Sequence, residues 1–331
     1  MKKITLALTV IALIAIGFIS SCKKDKNDGT PVSSAYANLD DKTTTAVVSN
    51  IPRIEFGISK SPILKLYLSI TDQLGAPLKN FNAYNFKVEQ SIDSKPFAVV
   101  SNFTLTTLSQ QTGNGNLGIG ITMDYSGSMG SQDITDMETA VKKFIRLKST
   151  ADQLEIVKFD DNIYVAQNFT SDTTKLIKAV DSLYYLGGMT AFWSACDTAL
   201  VGASKLTGFV PAVIGFTDGY DNSSSITQSQ LITKAQQYQI PIYTVGFGYP
   251  DSTSSMATIA NSTGGRYYFA PTSAQIQDLF QTISGQLSNL YVLTWDLNTT
   301  SGKTVTIKVT TSYTCGAGAL TSVSEKTFVT P

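Results

Sequence analysis

The sequence predicts an α/β protein in which a doubly wound, mostly parallel sheet is inserted into a small β-sandwich formed by the N- and C-terminal segments. Three observations predict it. Between residues 117 and 290, short apolar runs alternate with helical patterns, as successive β-α units require. Residues 50–110 and 291–331 instead alternate apolar and polar residues in short runs bounded by turn signals, with no helical stretch. At 331 residues the chain has room for about two domains, and 42% hydrophobic against 15% charged residues describes a globular chain with a sizeable core.

Residues 1–21 have the form of a signal peptide. Lys2 and Lys3 supply the positive start, and Ile4–Ile19 is apolar apart from Thr5, Thr9 and Gly17. That stretch is short for a spanning helix, which needs about 20 residues. Ser20-Ser21-Cys22 then resembles a bacterial lipoprotein box, which makes Cys22 the expected lipidated N-terminus. The alternative is an ordinary signal peptide with an incidental cysteine. Residues 22–47 are polar and aperiodic and are expected to form a flexible tether. Its charged start, Lys23-Lys24-Asp25-Lys26, resembles a surface-export signal of some Gram-negative lipoproteins, or serves as a solvated spacer.

The first part of the sandwich is assigned to residues 48–112. Ile63–Ile70, Phe86–Glu89 and Phe97–Val100 are its expected strands, with a turn at Asp72–Pro77. The parallel-sheet unit is assigned to residues 113–290. Its expected strands are Leu117–Met123, Gln153–Phe159, Ile163–Gln167, Ala212–Thr217, Ile242–Gly246 and Arg266–Phe269. Helices are expected near Asp133–Lys148, Thr173–Leu183, Phe192–Lys205, Ser229–Tyr238, Ser254–Ala260 and Ala274–Leu290. The Asp160-Asp161-Asn162 turn implies one antiparallel edge hairpin. Residues 291–331, with strands Tyr291–Trp295 and Thr304–Val309, are too short to fold alone and are expected to complete the sandwich.

Gly113–Gly118 matches G-x-G-x-x-G, but a dinucleotide fingerprint follows a strand and opens a helix, whereas this run precedes a strand. The formal charge of zero argues against nucleic acid as a partner. The absence of histidine removes Ser-His-Asp and Cys-His catalysis and the His-based zinc motifs. No G-x-S-x-G elbow is present either, so an enzyme is the least favoured class. After processing, Cys196 and Cys315 are expected to be two separate free thiols, Cys196 buried.

The chemistry concentrates after the strand Leu117–Met123. Asp124-Tyr125-Ser126-Gly127-Ser128 places a carboxylate and two hydroxyls on a tight turn at the carboxyl edge of the sheet, where open α/β sheets bind ligands. Three hard oxygen donors in so short a stretch suit a divalent cation, Mg²⁺ above all, with Mn²⁺ or Ca²⁺ as alternatives. Thr190 in Gly187–Ala191 and Asp218 in Phe216–Gly219 follow in order.

Together these segments resemble the metal-ion-dependent adhesion site of von Willebrand factor type A domains. The resemblance covers about 170 residues and implies a Rossmann-like sheet. The segment from Asp72 to Val88 more weakly resembles the β-domain that often precedes bacterial members. Carried over, the family pattern implies that Ser126 and Ser128 bind metal directly and Thr190 directly or through water. Asp124 and Asp218 would act through bridging waters. Neutral inner oxygens leave the cation under-compensated, so an open position would attract a partner's carboxylate. Met189 and Ser194 depart from the usual residues, but neither is a ligand position. Asp221 is expected to stabilise its loop. Phe192 and Trp193 are expected half-buried, with Tyr125 and Tyr220 as candidate rim residues.

These readings converge on a non-enzymatic protein-binding or adhesion module on a lipid-anchored envelope protein, held in a membrane through its N-terminal lipid. The outer membrane is favoured, and periplasmic or surface orientation stays open. A structural subunit of an envelope complex is the alternative. The resemblance also implies that ligand can shift the last helix, which leads directly into a sandwich strand; a rigid linkage is the competing reading.

Overall fold

The computed structural model describes residues 44–57, 61–108, 116–184, 187–246, 253–269, 282–283 and 285–331. The signal peptide, Cys22, the tether to residue 43, residues 113–115 and residues 274–281 of the last expected helix lie outside the described residues. From the N-terminus the chain forms β1 (Val47–Gly57), β2 (Ile63–Asp72), β3 (Phe86–Ile92), β4 (Ala98–Val99) and β5 (Thr104–Thr107). It then forms β6 (Leu117–Asp124), α1 (Ser131–Leu147), β7 (Gln153–Phe159), β8 (Ile163–Thr170), α2 (Thr173–Asp181) and α3 (Phe192–Ser204). Next come β9 (Val210–Thr217), α4 (Gln228–Tyr238), β10 (Ile242–Gly246), α5 (Thr253–Thr263) and β11 (Tyr267–Phe269). The C-terminal segment supplies β12 (Tyr291–Asp296), β13 (Thr304–Cys315) and β14 (Gly318–Val329).

The sandwich consists of two antiparallel sheets, ordered β1-β2-β12-β5 and β14-β13-β3-β4. One C-terminal strand is interior to each sheet: β12 lies between β2 and β5, and β13 between β14 and β3. Leu64, Leu66, Leu68, Leu293, Val305, Ile307 and Val309 fill the space between them. Tyr67 of β2 and Val292 of β12 are register partners that point the other way and join the core of the parallel sheet. The parallel sheet is therefore inserted into the sandwich and packed against it.

The second sheet is ordered β11-β10-β9-β6-β7-β8, parallel except for the β7–β8 hairpin. β6 and β9 are buried along their whole length, as expected of strands covered by helices on both faces. α1 and α2 pack on one face through Met137, Val141, Phe144, Leu176 and Val180. The other face is covered by Phe192, Leu200, Leu231 and Met256 from α3, α4 and α5. Cys196 and Cys315 are both free and buried. Among the described residues, no helix is long and apolar enough to cross a membrane.

Three strands, β1, β5 and β14, are not among those expected. β14 was not foreseen, because it is an edge strand whose alternate residues are exposed Thr, Val and Glu and whose inward positions include Ser and Lys, which blurs the apolar period. β1 begins at Val47, within the segment assigned to the tether.

On β7, Glu155 is 4% exposed, lies over Gly202 of α3, and has one carboxylate oxygen without a hydrogen-bond partner. Burial raises its pKa to about 7. The fold binds this proton more tightly than the unfolded chain does, so stability is lost as pH rises from the ordinary carboxylate range through about 7. Glu155→Gln is expected to flatten that dependence and to stabilise the protein at pH 8 by on the order of 1–2 kcal/mol. Urea denaturation of both proteins at pH 5 and pH 8 checks this.

Candidate metal centre

The strand order places the site. From β6 the chain steps to β7 and β8, then crosses back to β9 on the other side of β6. The carboxyl ends of β6 and β9 therefore flank the point where the winding reverses, which opens a crevice in sheets of this kind. The register pairs Met123 with Phe216, so the next residues, Asp124 and Thr217, meet at that end.

Asp124 is 0% exposed. Its Oδ1 accepts the Ser126 backbone N–H at 2.8 Å, and its Oδ2 accepts the Thr217 hydroxyl at 2.5 Å. The Ser126 and Ser128 hydroxyl oxygens are 3.3 Å apart, and Ser128 donates to Asp218 Oδ1 at 2.9 Å. Hydrogen bonds thus join Asp124, Ser126, Ser128 and Asp218 into one cluster. Burial pushes the Asp124 pKa up to about 6, opposed by the Thr217 and Ser126 donors, with the Asp218 charge adding to the rise. Burial also raises Asp218, despite the hydrogen bond from Ser128.

Thr190, 3% exposed, reaches the site on a separate loop. Asn222 Oδ1 accepts its backbone N–H at 2.8 Å, and its carbonyl accepts the N–H groups of Asn222 and Ser223, each at 3.0 Å. Gly187 presses this loop against the first: its N–H donates to Tyr125 O at 3.2 Å, and it forms an isolated bridge with Ser126. A Cβ at Gly127 would stand 2.8 Å from Gly187 O, and one at Gly187 would overlap the Asp160 side chain. Both positions need glycine for this close approach.

Asp221 stabilises its loop, accepting from the Trp193 N–H at 2.7 Å and from the Ser224 hydroxyl at 2.5 Å. Two aromatic expectations are corrected. Tyr125 is buried, not at the rim: its hydroxyl donates to Glu138 at 2.8 Å, and its ring lies 4.9 Å from the Lys158 ammonium. Phe192 is fully buried in the α3 core, whereas Trp193 is half-buried. Tyr220 is 68% exposed. Asp124 and Ser126 are both fully buried, so substitutions there are not surface changes.

The sequence reading missed Thr217 and Asn222, which orient Asp124 and Thr190. The available signal for Thr217 was a polar residue ending the apolar run Ala212–Phe216.

The donor set of two carboxylates and three hydroxyls is all hard oxygen and fits a divalent cation of the Mg²⁺ type. Among the described residues, no three Asp, Glu, His or Cys side chains cluster as metal ligands, so the hydroxyls of Ser126, Ser128 and Thr190 would complete the set. A cation there would offset two carboxylates that burial otherwise disfavours as anions.

Residues 119–282 match the family model of the von Willebrand factor type A domain. The match supports a von Willebrand factor type A domain in the segment where the sequence resemblance lay. An uncharacterised protein of Borreliella burgdorferi is 24% identical over 194 residues, covering 50% of this chain and 57% of the relative. The chain spans about half the length of the curated relatives it matches. Among solved structures, the conserved hypothetical protein BatB of Bacteroides thetaiotaomicron aligns at 18% identity and TM-score 0.46, covering 52% of this chain and 98% of that one. Proximal thread matrix protein 1 from the mussel byssus, in a structure with a zinc-occupied MIDAS motif, aligns at 17% identity and TM-score 0.45, covering 51% and 47%.

Thr217→Val tests the orienting hydroxyl. It leaves a buried Asp124 oxygen without its donor, which is expected to cost about 1–3 kcal/mol. Urea denaturation in EDTA measures that loss; an unchanged midpoint would show that the hydroxyl does not hold Asp124.

Proposed function

We propose that this protein is a Mg²⁺-dependent protein-binding module that engages a carboxylate of a partner protein. The observation that carries the reading is the cluster of Asp124, Ser126, Ser128 and Asp218 at the reversal of the sheet, with Thr190 on the adjoining loop. Ser126, Ser128 and Thr190 would hold the ion and Asp124 and Asp218 would orient them, Asp124 itself being fixed by Thr217. The ion would supply a positive centre for an incoming acidic group.

The surroundings support a protein as that partner. Met189, directly before Thr190, is 46% exposed, and Tyr220, two residues after Asp218, is 68% exposed. Beside the first loop, a groove of about 330 Å³ is lined by Tyr125, Ile134, Glu138, Tyr184 and Leu183, the last 95% exposed. Exposed apolar and aromatic side chains around a polar centre are the composition of a protein-binding surface. We read the module as non-catalytic, because its carboxylates are engaged in holding hydroxyls and the chain has no histidine to serve as a base. The lipoprotein-like Ser20-Ser21-Cys22 supports a lipid anchor in the bacterial envelope.

A crosslinking pull-down from envelope fractions, with wild type and Asp124→Ala, tests the reading. A protein recovered by wild type in Mg²⁺ is expected to fall at least tenfold with the variant and in EDTA. Equal recovery in all three would overturn it.

A further inference from the structure

A second, metal-independent feature lies where the sandwich meets α4 and α5. Three adjoining cavities run along this seam, of about 710, 210 and 300 Å³. Ser262 and Lys326 line both the first and the second, and Asn50 and Asn261 line both the second and the third. Their combined extent is that of a ligand-sized cleft.

Two cations face this seam, and the acid that lines it beside them, Glu325, pairs with neither. Lys326, on the inward side of β14, makes one contact, to Ile51 O at 3.5 Å. Arg266 donates through Nη2 to Gln73 O at 2.7 Å and lies over the Tyr268 ring, while its buried Nη1 has no partner. Among the described residues, neither forms an ion pair. Burial lowers the Lys326 pKa to about 8, with no acid opposing the shift. A cation withdrawn from water without a counter-charge is costly, and an anion in the cleft would relieve that cost.

The same seam holds unmet acceptors. Asn50 donates through Nδ2 to Gly264 O at 3.0 Å, but its Oδ1 is buried without a donor. Gln239 donates through Nε2 to Gln236 O at 2.5 Å, and its Oε1 is likewise buried and unmet. Phosphate or sulfate alone would satisfy the cations and leave these carbonyls empty. A ligand with a carboxylate and several hydroxyls satisfies both. The wall formed by Phe56 and Phe328, with ring centroids 5.5 Å apart, offers the apolar surface on which the C–H face of a sugar ring rests.

We propose that this seam binds an acidic saccharide, with separate carboxylates at Lys326 and at Arg266 and its hydroxyls at Asn50 and Gln239. The experiment is calorimetric titration of the full chain with tri-galacturonate in EDTA. Galactotriose, inorganic phosphate and an Asp-rich peptide are titrated in parallel. Saturable tri-galacturonate binding is expected, at least tenfold tighter than any of the three comparators. Lys326→Gln and Arg266→Gln are each expected to weaken it at least tenfold. Ser262→Phe, on the exposed side of α5 between two of the cavities, is expected to block it with an unchanged melting temperature. Asp124→Ala is expected to bind as wild type does, which keeps this site distinct from the metal centre. The proposal is overturned if tri-galacturonate does not bind at about 10 mM, if a comparator binds equally well, or if Lys326→Gln and Ser262→Phe both bind normally.

Discussion

Asp124 carries a carboxylate at the buried end of an interior strand, and such a group must be satisfied from within the protein. Its two partners come from different places: the Ser126 N–H from the turn that follows it, and the Thr217 hydroxyl from the end of the adjacent strand β9. That pair of bonds fixes the two loops at the reversal of the sheet relative to each other. Ser128 and Asp218 then meet across the same gap, and Gly187 brings the Thr190 loop close enough to bridge Ser126. The candidate ligands that follow β6 and β9 are thus held on the end of a rigid sheet with the Thr190 loop bridged to them, which is how a pre-formed binding constellation is kept in place.

The sandwich constrains the other end of the domain. β12 and β13 sit inside the two sheets, whose remaining strands apart from β14 come from the N-terminal segment, so the chain must close the sandwich after completing the parallel sheet. Tyr67 and Val292 carry the sandwich into the core of the parallel sheet, so the two parts share buried surface. The seam holding Lys326 and Arg266 is the polar remainder of that junction. Apolar packing closes one side, while amides, hydroxyls, the Glu325 carboxylate and two cations outside any ion pair line the other.

Much of this was legible in the sequence where a single physical signal dominated. Gln153–Phe159 and Ile242–Gly246 are strands over the residues expected, because short runs rich in Leu, Ile, Val and aromatic residues stand out from the helices around them. The hairpin at Asp160–Asn162 followed from its turn residues. The legible part of the site was its short motifs, Asp124–Ser128 with Thr190 and Asp218 following in order, and Asp218 does meet Ser128. The long-range supports were not legible: nothing local says that the Thr217 hydroxyl faces Asp124 or that Asn222 holds Thr190. Tyr125 was misplaced for the same reason. It follows Asp124 in the turn, but the backbone there directs its ring inward to Lys158 and Glu138. β14 escaped because an edge strand tolerates polar residues on both faces.

The account depends most on whether the hydroxyls of this cluster bind a divalent cation. Manganese titration followed by electron paramagnetic resonance, with wild type and Ser126→Ala, measures this directly, since Mn²⁺ takes the same oxygen ligands as Mg²⁺. The account predicts a single saturable Mn²⁺ site in the wild type, displaced by Mg²⁺ and weakened at least tenfold by Ser126→Ala. Absence of saturable binding to the wild type, or equal affinity in the variant, would contradict it.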